Sequence, residues 1–185
     1  MENSSTSRSR YSSVAILLHW LIAIGVIANW RIAEAAEHLP EAERGAVMGW
    51  HFAFGMSILV LTVLRLIWRL IHRPPPLQAS LARWEVLLAK SVHGIFYVLL
   101  IGLPLGGWIG MSGYGFPVNM FGIVWPVLPV GFGEETGHEI LEVHATIGSI
   151  MILLVGLHIL AVLKHTFYDK TGNIFRMLPF GTAKD

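Results

Sequence analysis

The sequence predicts an all-α integral membrane protein, a four-helix bundle with its N- and C-termini in the cytoplasm. Its 185 residues are 54% hydrophobic and 14% charged, and the mean hydropathy is +0.61. A soluble domain usually carries about 25% charged residues. Four stretches are also long and apolar enough to cross a hydrocarbon layer of about 30 Å, which takes about 20 helical residues.

The four apolar stretches are residues 14–33, 46–70, 86–111 and 140–163. We interpret residues 1–185 as a single transmembrane domain. The first stretch also has features of a secretory signal, since an Arg-containing start precedes it and the small-residue run AEA follows at 33–35. Its length, and the presence of His19 and Trp20 within it, favour a membrane helix.

The basic residues predict the orientation of the helices, because Lys and Arg concentrate in cytoplasmic loops. Eleven of the thirteen fall on one side of the predicted membrane, and two, Arg31 and Arg44, fall on the other. The eleven are Arg8, Arg10, Arg65, Arg69, Arg73, Arg83, Lys90, Lys164, Lys170, Arg176 and Lys184. Both termini are therefore predicted to be cytoplasmic. In a bacterium this is a multi-pass protein of the inner membrane, and the opposite face is periplasmic.

Two connecting segments are predicted from proline. The run HRPPPLQAS, residues 72–80, cannot continue the second helix and reads as a stiff cytoplasmic turn. Residues 112–137 contain Pro117, Pro126 and Pro129 among aromatic and apolar residues. We expect this segment to lie along the outer membrane surface as a cap.

Composition excludes several classes of site. The chain has no cysteine, so disulfides, Cys-ligated iron–sulfur clusters and thioether-attached haem are excluded. The formal net charge is +1, and no nucleic-acid partner is expected.

Four histidines lie at matching depths in the predicted helices. His19 lies about five residues inside the first helix and His158 about five residues before the end of the fourth, which places both near the cytoplasmic side. His51 and His144 each follow the outer boundary by four or five residues. The fourteen residues from His144 to His158 make nearly four turns, so both lie on one helix face about 21 Å apart. This spacing suits two stacked cofactors.

Bis-histidine ligation of haem accounts for imidazoles inside a membrane. Neutral imidazole coordinates haem iron, and the flat macrocycle fills an apolar slot between helices. Small residues near the four histidines would leave room for it. These are Ala15, Ala23, Gly55, Gly148 and Gly156.

Other interpretations of the histidines remain open at this point. A structural zinc site usually takes four close ligands, often including cysteine, and the chain has neither cysteine nor an HExxH motif. A proton or ion pathway would use histidine chains, although Glu142, at the outer edge of the fourth stretch, is the one acidic residue within the apolar stretches that could support it. His93, near the cytoplasmic start of the third helix, competes with His158 as the partner of His19.

Taken together, five motifs resemble the bacterial cytochrome b561 family over nearly the whole chain. They are LLHWL from Leu17, HFAFGMSILVLTVLRLIWRL from His51, HGIFYVLLIGLP from His93, GLHILAVLKHTFYDK from Gly156 and RMLP from Arg176. The order of these motifs and the spacing of their histidines make the resemblance specific.

The resemblance implies two haem b groups in a four-helix bundle. It assigns His19 and His158 to the iron of the cytoplasmic-side haem, and His51 and His144 to the iron of the periplasmic-side haem. It favours His158 over His93 as the partner of His19. His165 matches a family histidine near a quinone pocket, which implies a role as hydrogen-bond partner or proton donor to ubiquinone.

The function implied by the resemblance is electron transfer from a periplasmic donor, superoxide, to membrane ubiquinone, as in a superoxide oxidase. Arg44 matches a family arginine and would supply positive charge at the outer donor site. An anionic donor is drawn by positive potential, yet the outer loops carry eight glutamates against Arg31 and Arg44. They are Glu34, Glu37, Glu41, Glu43, Glu134, Glu135, Glu139 and Glu142.

Two alternatives therefore stand beside superoxide oxidation. The first is a cytochrome b subunit that relays electrons between quinone and a periplasmic redox protein, for which an acidic face would favour a cationic partner. The second is a haem-binding membrane protein without enzymatic activity. In all three interpretations the chain is surrounded by membrane lipid.

Overall fold

The computed structural model describes residues 10–76, 82–170 and 173–181 and contains four long helices. Each helix is long and apolar enough to cross a membrane, which confirms the four predicted transmembrane helices. They are α1 (Ser13–Glu37), α2 (Glu41–Ile71), α3 (Arg83–Gly113) and α4 (Glu134–Leu163).

All four helices extend beyond the apolar stretches at the predicted outer face, α3 by only two residues, to Gly113. α2 begins at Glu41 rather than at residue 46, and α4 begins at Glu134 rather than at residue 140. The first turn of each contains two glutamates, whose negative charge is favourable beside the free N–H groups of a helix N-terminus. α1 likewise continues to Glu37. Hydropathy therefore marks where the apolar surface ends, and the helices continue past it.

The opposite ends of α1 and α2 are defined by local signals. The Ser12 hydroxyl caps α1 by accepting a hydrogen bond of 3.3 Å from the Ala15 N–H. α2 ends at Ile71, shortly before Pro74, Pro75 and Pro76. The rest of the predicted turn, residues 77–80, lies outside the described residues, as do Arg8 and Lys184.

A short β-hairpin occupies part of the predicted outer cap. Strands β1 (Val118–Met120) and β2 (Ile123–Trp125) pair antiparallel across a two-residue turn. Phe121 and Gly122 both have positive φ, 49° and 93°, as a type I′ hairpin turn requires. The hairpin was not predicted, because strands of three residues are too short to show an alternating pattern. Buried Val118 joins it to α2 by packing in one cluster with Met56 and Leu59.

The bundle consists of two helix pairs, α1 with α2 and α3 with α4. The α3–α4 pair is closest at its outer end, where two glycines allow the helices to meet. A Cβ at Gly137 would lie 2.9 Å from the Gly110 carbonyl oxygen, and a Cβ at Gly110 would lie 2.7 Å from Leu141 Cδ2. Between the pairs, α2 packs on α3, while the contact between α1 and α4 is slight. A slot is thus left between the two pairs.

The C-terminal part of the chain closes one end of the bundle. α4 continues into a π-helical turn, Lys164–Tyr168, and a 3₁₀ helix follows at Asn173–Arg176. The Tyr11 N–H donates to the Arg176 carbonyl oxygen at 3.2 Å, and Trp20 Nε1 donates to the Met177 carbonyl oxygen at 2.7 Å. The described ends of the chain therefore lie at one end of the bundle, as the predicted topology requires. Assignment of that end to the cytoplasm stays a prediction.

Candidate functional site

His51 of α2 and His144 of α4 face each other across the slot at the outer end of the bundle. Their ring centroids are 6.0 Å apart and their planes are nearly perpendicular, at 84°. Two imidazoles that bind one metal ion from opposite sides have centroids roughly 6 Å apart, since each metal–nitrogen bond is about 2 Å. The spacing of this pair therefore suits two imidazoles that would hold one metal ion between them.

Both imidazoles are held through Nδ1 by backbone carbonyl groups of the neighbouring helix. His51 Nδ1 lies 3.2 Å from the Asn29 carbonyl oxygen of α1, and His144 Nδ1 lies 2.9 Å from the Leu103 carbonyl oxygen of α3. A carbonyl oxygen accepts, so each Nδ1 carries the proton and leaves Nε2 as the lone-pair donor. This is the usual arrangement of a metal-binding histidine. Each helix pair thus supplies one imidazole together with the carbonyl that orients it.

A cavity of about 660 Å³ surrounds this histidine pair and is mostly apolar. Its size lies within the range of small-molecule and cofactor sites, about 300–1,000 Å³. Gly55 and Gly148, both predicted to leave room near the histidines, line it. Asn29, which also lines the cavity, is only 9% exposed, and its Oδ1 has no hydrogen-bond partner among the described residues. The apolar walls and the two imidazoles fit a flat, largely apolar cofactor that contains a metal ion, such as haem.

Gly107 is a residue of this site that the sequence analysis missed. A Cβ at Gly107 would lie 3.3 Å from Cε1 of His144, closer than ordinary van der Waals contact. The missing side chain allows α3 to approach the imidazole that its own Leu103 carbonyl orients. Sequence spacing within one helix cannot reveal this residue, because the contact joins α3 to α4.

Replacing Gly107 with Val is expected to weaken cofactor binding at the outer pair. The new side chain presses on His144, and overpacking of this kind costs about 1–3 kcal/mol, a loss of about fivefold to a hundredfold in affinity. The matched control is Gly106→Val, because a Cβ at Gly106 meets nothing within 4 Å. Haem content and the reduced spectrum of both purified variants measure the effect. Equal haem content in the two variants would contradict the role of Gly107.

At the other end of the slot the structure brings three histidines together, His19, His93 and His158. The His158 ring lies 5.8 Å from the His93 ring, at 82°, and 5.5 Å from the ring of Phe96. His19 of α1 lies within electrostatic range of His158, His93 and Arg65. His93 Nδ1 is 2.6 Å from the Ala89 carbonyl oxygen of its own helix. His158 and His93, the two residues considered as the partner of His19, therefore both lie within electrostatic range of it.

His165 lies in the π-helical turn and contacts a carboxylate. Its Nδ1 is 2.6 Å from Oδ2 of Asp169, four residues on. The same oxygen accepts from the Lys164 ammonium at 2.9 Å, and Lys164 reaches Glu85 of α3 at 3.3 Å. Lys164 also holds the pKa of Asp169 below its usual range, with a smaller contribution from His165. Asp169 is therefore ionised at neutral pH and orients His165.

The residues around His165 do not favour a metal ion. Glu85, His165 and Asp169 place one donor atom each within 4.8 Å of one another. The Lys164 ammonium, however, contacts both carboxylates and supplies the positive charge that a cation would bring. Asp169 was missed by the sequence analysis, although its spacing of four residues from His165 is readable in the sequence.

Arg44 lies in the first turns of α2 and lines the cavity of the outer histidine pair. Its Nη2 donates to the Leu39 carbonyl oxygen at 3.4 Å. Arg31, the other basic residue predicted on this side, forms an ion pair with Glu34. Glu34 and Glu37 also line the cavity. The opening thus contains both charge signs, with Arg44 on the α2 side.

Comparisons with known proteins find a matching family model and several similar proteins. The family model described as prokaryotic cytochrome b561 matches residues 10–180. A probable superoxide oxidase CybB from Yersinia pestis is 28% identical over 174 residues, which are 92% of this chain and 96% of that protein. Cytochrome b561 homolog 2 from Escherichia coli strain K12 is 26% identical over 178 residues, 91% of each chain. Cytochrome b562 from Cereibacter sphaeroides is 25% identical over 179 residues, covering 94% of this chain and 98% of that protein.

Proposed function

We propose that this chain, which belongs to the prokaryotic cytochrome b561 family, is a superoxide:ubiquinone oxidoreductase. As a member of this family, it is a multi-pass inner-membrane cytochrome that binds b-type haem and transfers electrons. In the proposed reaction two superoxide anions are oxidised to dioxygen, and one ubiquinone takes up two electrons and two protons to become ubiquinol. We propose that residues 1–185 carry out this reaction as one domain.

The observation that carries the proposal is the facing pair His51 and His144. Two imidazoles 6.0 Å apart, both oriented by backbone carbonyls beside a large apolar cavity, are built to hold a cofactor in the outer half of the bundle. We propose that they bind the iron of the periplasmic-side haem b. Bound haem supplies a one-electron redox centre there.

We propose that His19 and His158 bind the iron of a second haem b near the cytoplasmic end. They approach the slot from α1 and α4, and His19 lies within electrostatic range of His158. His93 is then a polar neighbour of this haem. The axial distance of about 21 Å between His144 and His158 leaves room for two haems along the slot.

Superoxide is proposed as the donor because a curated relative is named as a probable superoxide oxidase and because Arg44 lines the outer cavity. A guanidinium at that opening favours the approach of a small anion. The acidic loops keep the alternative open, in which a cationic periplasmic redox protein exchanges electrons with quinone through the two haems. A further alternative is a haem-binding membrane protein without enzymatic activity.

One rapid-mixing experiment separates these three possibilities. The oxidised protein is mixed with superoxide while haem absorbance is followed, and the reduced protein is then mixed with a soluble ubiquinone. Superoxide oxidation predicts fast haem reduction followed by quinone-dependent reoxidation. Reoxidation by quinone without a response to superoxide would favour the relay with a protein donor. Failure of both steps would leave the non-enzymatic haem protein.

We propose that His165 hydrogen-bonds to quinone and passes a proton to it, with Asp169 as a positioning residue. Replacing His165 with Ala is expected to slow quinone-dependent haem reoxidation by about a hundredfold, the lower end of general acid catalysis. Asp169→Asn keeps a hydrogen-bond acceptor but loses the charge, so its loss of rate should be smaller. The haem spectra should stay unchanged, since neither residue belongs to the histidine pairs proposed to bind haem iron.

The quinone step is measured with chemically reduced protein, so the result does not depend on superoxide as the donor. The matched control is His138→Ala, which removes an exposed histidine paired with Glu142 at the other end of α4. Wild-type rates in His165→Ala, or loss of haem from that variant, would show that the proposed role is wrong. A change in the solvent isotope effect in Asp169→Asn would distinguish proton transfer from a merely structural contact.

A further inference from the structure

A second cavity, of about 290 Å³, lies where the beginning of α1 meets the end of α2. We call it the basic pocket and define it by Arg10, Ser12, Arg65, Arg69, Arg73 and Tyr97, all of which line it. Four arginines thus line it, while no Asp or Glu is found among its described lining residues. Mutual repulsion of these charges is relieved when an anion lies between them.

The arginines of the basic pocket lack acidic partners within the described part of the chain. The Arg65 guanidinium donates to the Ala15 carbonyl oxygen at 2.6 Å, and Arg10 donates to the carbonyl oxygens of Pro179 and Gly181. Arg69 lies over the Tyr97 ring at 6.0 Å. By contrast, Lys164 at the same end of the bundle contacts two carboxylates. The charge of Lys164 is therefore neutralised by carboxylates of the protein itself. The basic pocket, by contrast, keeps its positive charge.

The surface beside the basic pocket is apolar and faces outward. Leu70 is 77% exposed and Ile71 is 69% exposed, and they follow Arg69 and precede His72 and Arg73 in the sequence. In a transmembrane protein such side chains meet acyl chains. A ligand that fills the pocket and covers this surface therefore has an anionic head and an apolar tail.

We propose that the basic pocket binds the phosphate group of an anionic phospholipid of the cytoplasmic leaflet. Guanidinium groups bind phosphate oxygens in a bidentate manner. Basic pockets beside the cytoplasmic ends of transmembrane helices commonly hold such headgroups. Arg69 and Arg73 contact the phosphate from α2 and the segment after it, and Leu70 and Ile71 contact the acyl chains.

A different anion, the propionate carboxylate of a haem, competes for part of this pocket. Arg65 lies within electrostatic range of His19, and both Arg65 and Arg69 lie within range of His93. Arg73 follows the end of α2 by two residues and is not among the charged groups that act on His19 or His93. A variant that removes Arg69 and Arg73 together, with haem content measured in parallel, distinguishes the two ligands.

The test counts the lipids retained by the purified holoprotein. Wild type and the double variant Arg69→Gln/Arg73→Gln are mixed with phosphatidylglycerol or phosphatidylcholine, and bound lipid is counted by native mass spectrometry. The control is Arg83→Gln/Lys90→Gln, which removes the same charge from exposed positions on α3 outside the pocket. Separate samples receive inorganic phosphate as competitor.

We expect wild type and the control to retain phosphatidylglycerol in preference to phosphatidylcholine. The pocket variant should bind phosphatidylglycerol at least tenfold more weakly, since each basic residue near anionic lipid contributes about 1 kcal/mol. Equal retention by the pocket variant and the control would overturn the proposal. So would complete displacement of the lipid by inorganic phosphate, which indicates a site for a free anion. Loss of one haem from the pocket variant with unchanged lipid binding would assign the guanidinium groups to propionates instead.

Discussion

If the chain binds two haems as proposed, replacing His144 with Ala is expected to reduce the haem content from two per chain to one. His144 is half of the facing pair with His51, and its Nδ1 is already engaged by the Leu103 carbonyl oxygen. Removing it would leave His51 as the single imidazole of the proposed outer haem site. Extracted haem per polypeptide, together with the reduced minus oxidised absorbance spectrum, gives the count.

His138→Ala is also the matched control for this loss, since His138 lies on the same helix and its exposed side chain pairs with Glu142. If His51 alone held the outer haem, the loss of one imidazole ligand would change the iron from low spin to high spin, which electron paramagnetic resonance detects. Two low-spin haems in His144→Ala would show that the outer pair is not the ligand set.

The second large effect is expected at the inner end, where three histidines meet. His19→Ala should remove the cytoplasmic-side haem, whereas His93→Ala should retain both haems, because we assign the inner iron to His19 and His158. Both variants truncate a histidine of the same cluster, so each serves as the control for the other. Haem content and the spin state of the remaining haem are the measurements.

The opposite result would reassign the inner site. The His93 and His158 rings are 5.8 Å apart, nearly the 6.0 Å of the outer pair. Loss of one haem from His93→Ala, with two low-spin haems in His19→Ala, would identify His93 as the ligand partner of His158. The outer pair would be unaffected by this outcome.

Several features of the fold could be predicted from the sequence because they depend on composition along one helix. A membrane-spanning helix needs about 20 apolar residues, and four such stretches are present, so the four helices were predictable. The residues at which the helices begin and end were harder to predict. α2 and α4 continue into segments that contain Glu41 and Glu134, since a helix N-terminus tolerates negative charge that hydropathy counts as a boundary.

The sequence predicts the depth of each histidine in the membrane, because a helix advances 1.5 Å per residue and depth follows from counting. Counting places His51 level with His144, and the structure brings these two rings together. It also places His19 level with both His158 and His93. Depth alone cannot choose between them, since it contains no information about which helices are neighbours.

Composition, motifs and residue spacing were enough to predict the class of protein, its four membrane helices, its family and the relative depth of its histidines. Which groups surround those histidines could be seen only from the packing of the helices against one another. The carbonyl groups of Asn29 and Leu103 orient the outer imidazoles, and Gly107 makes room for one of them. These contacts join different helices, and their existence depends on how the helix pairs rotate and approach, which periodicity within a single helix does not specify.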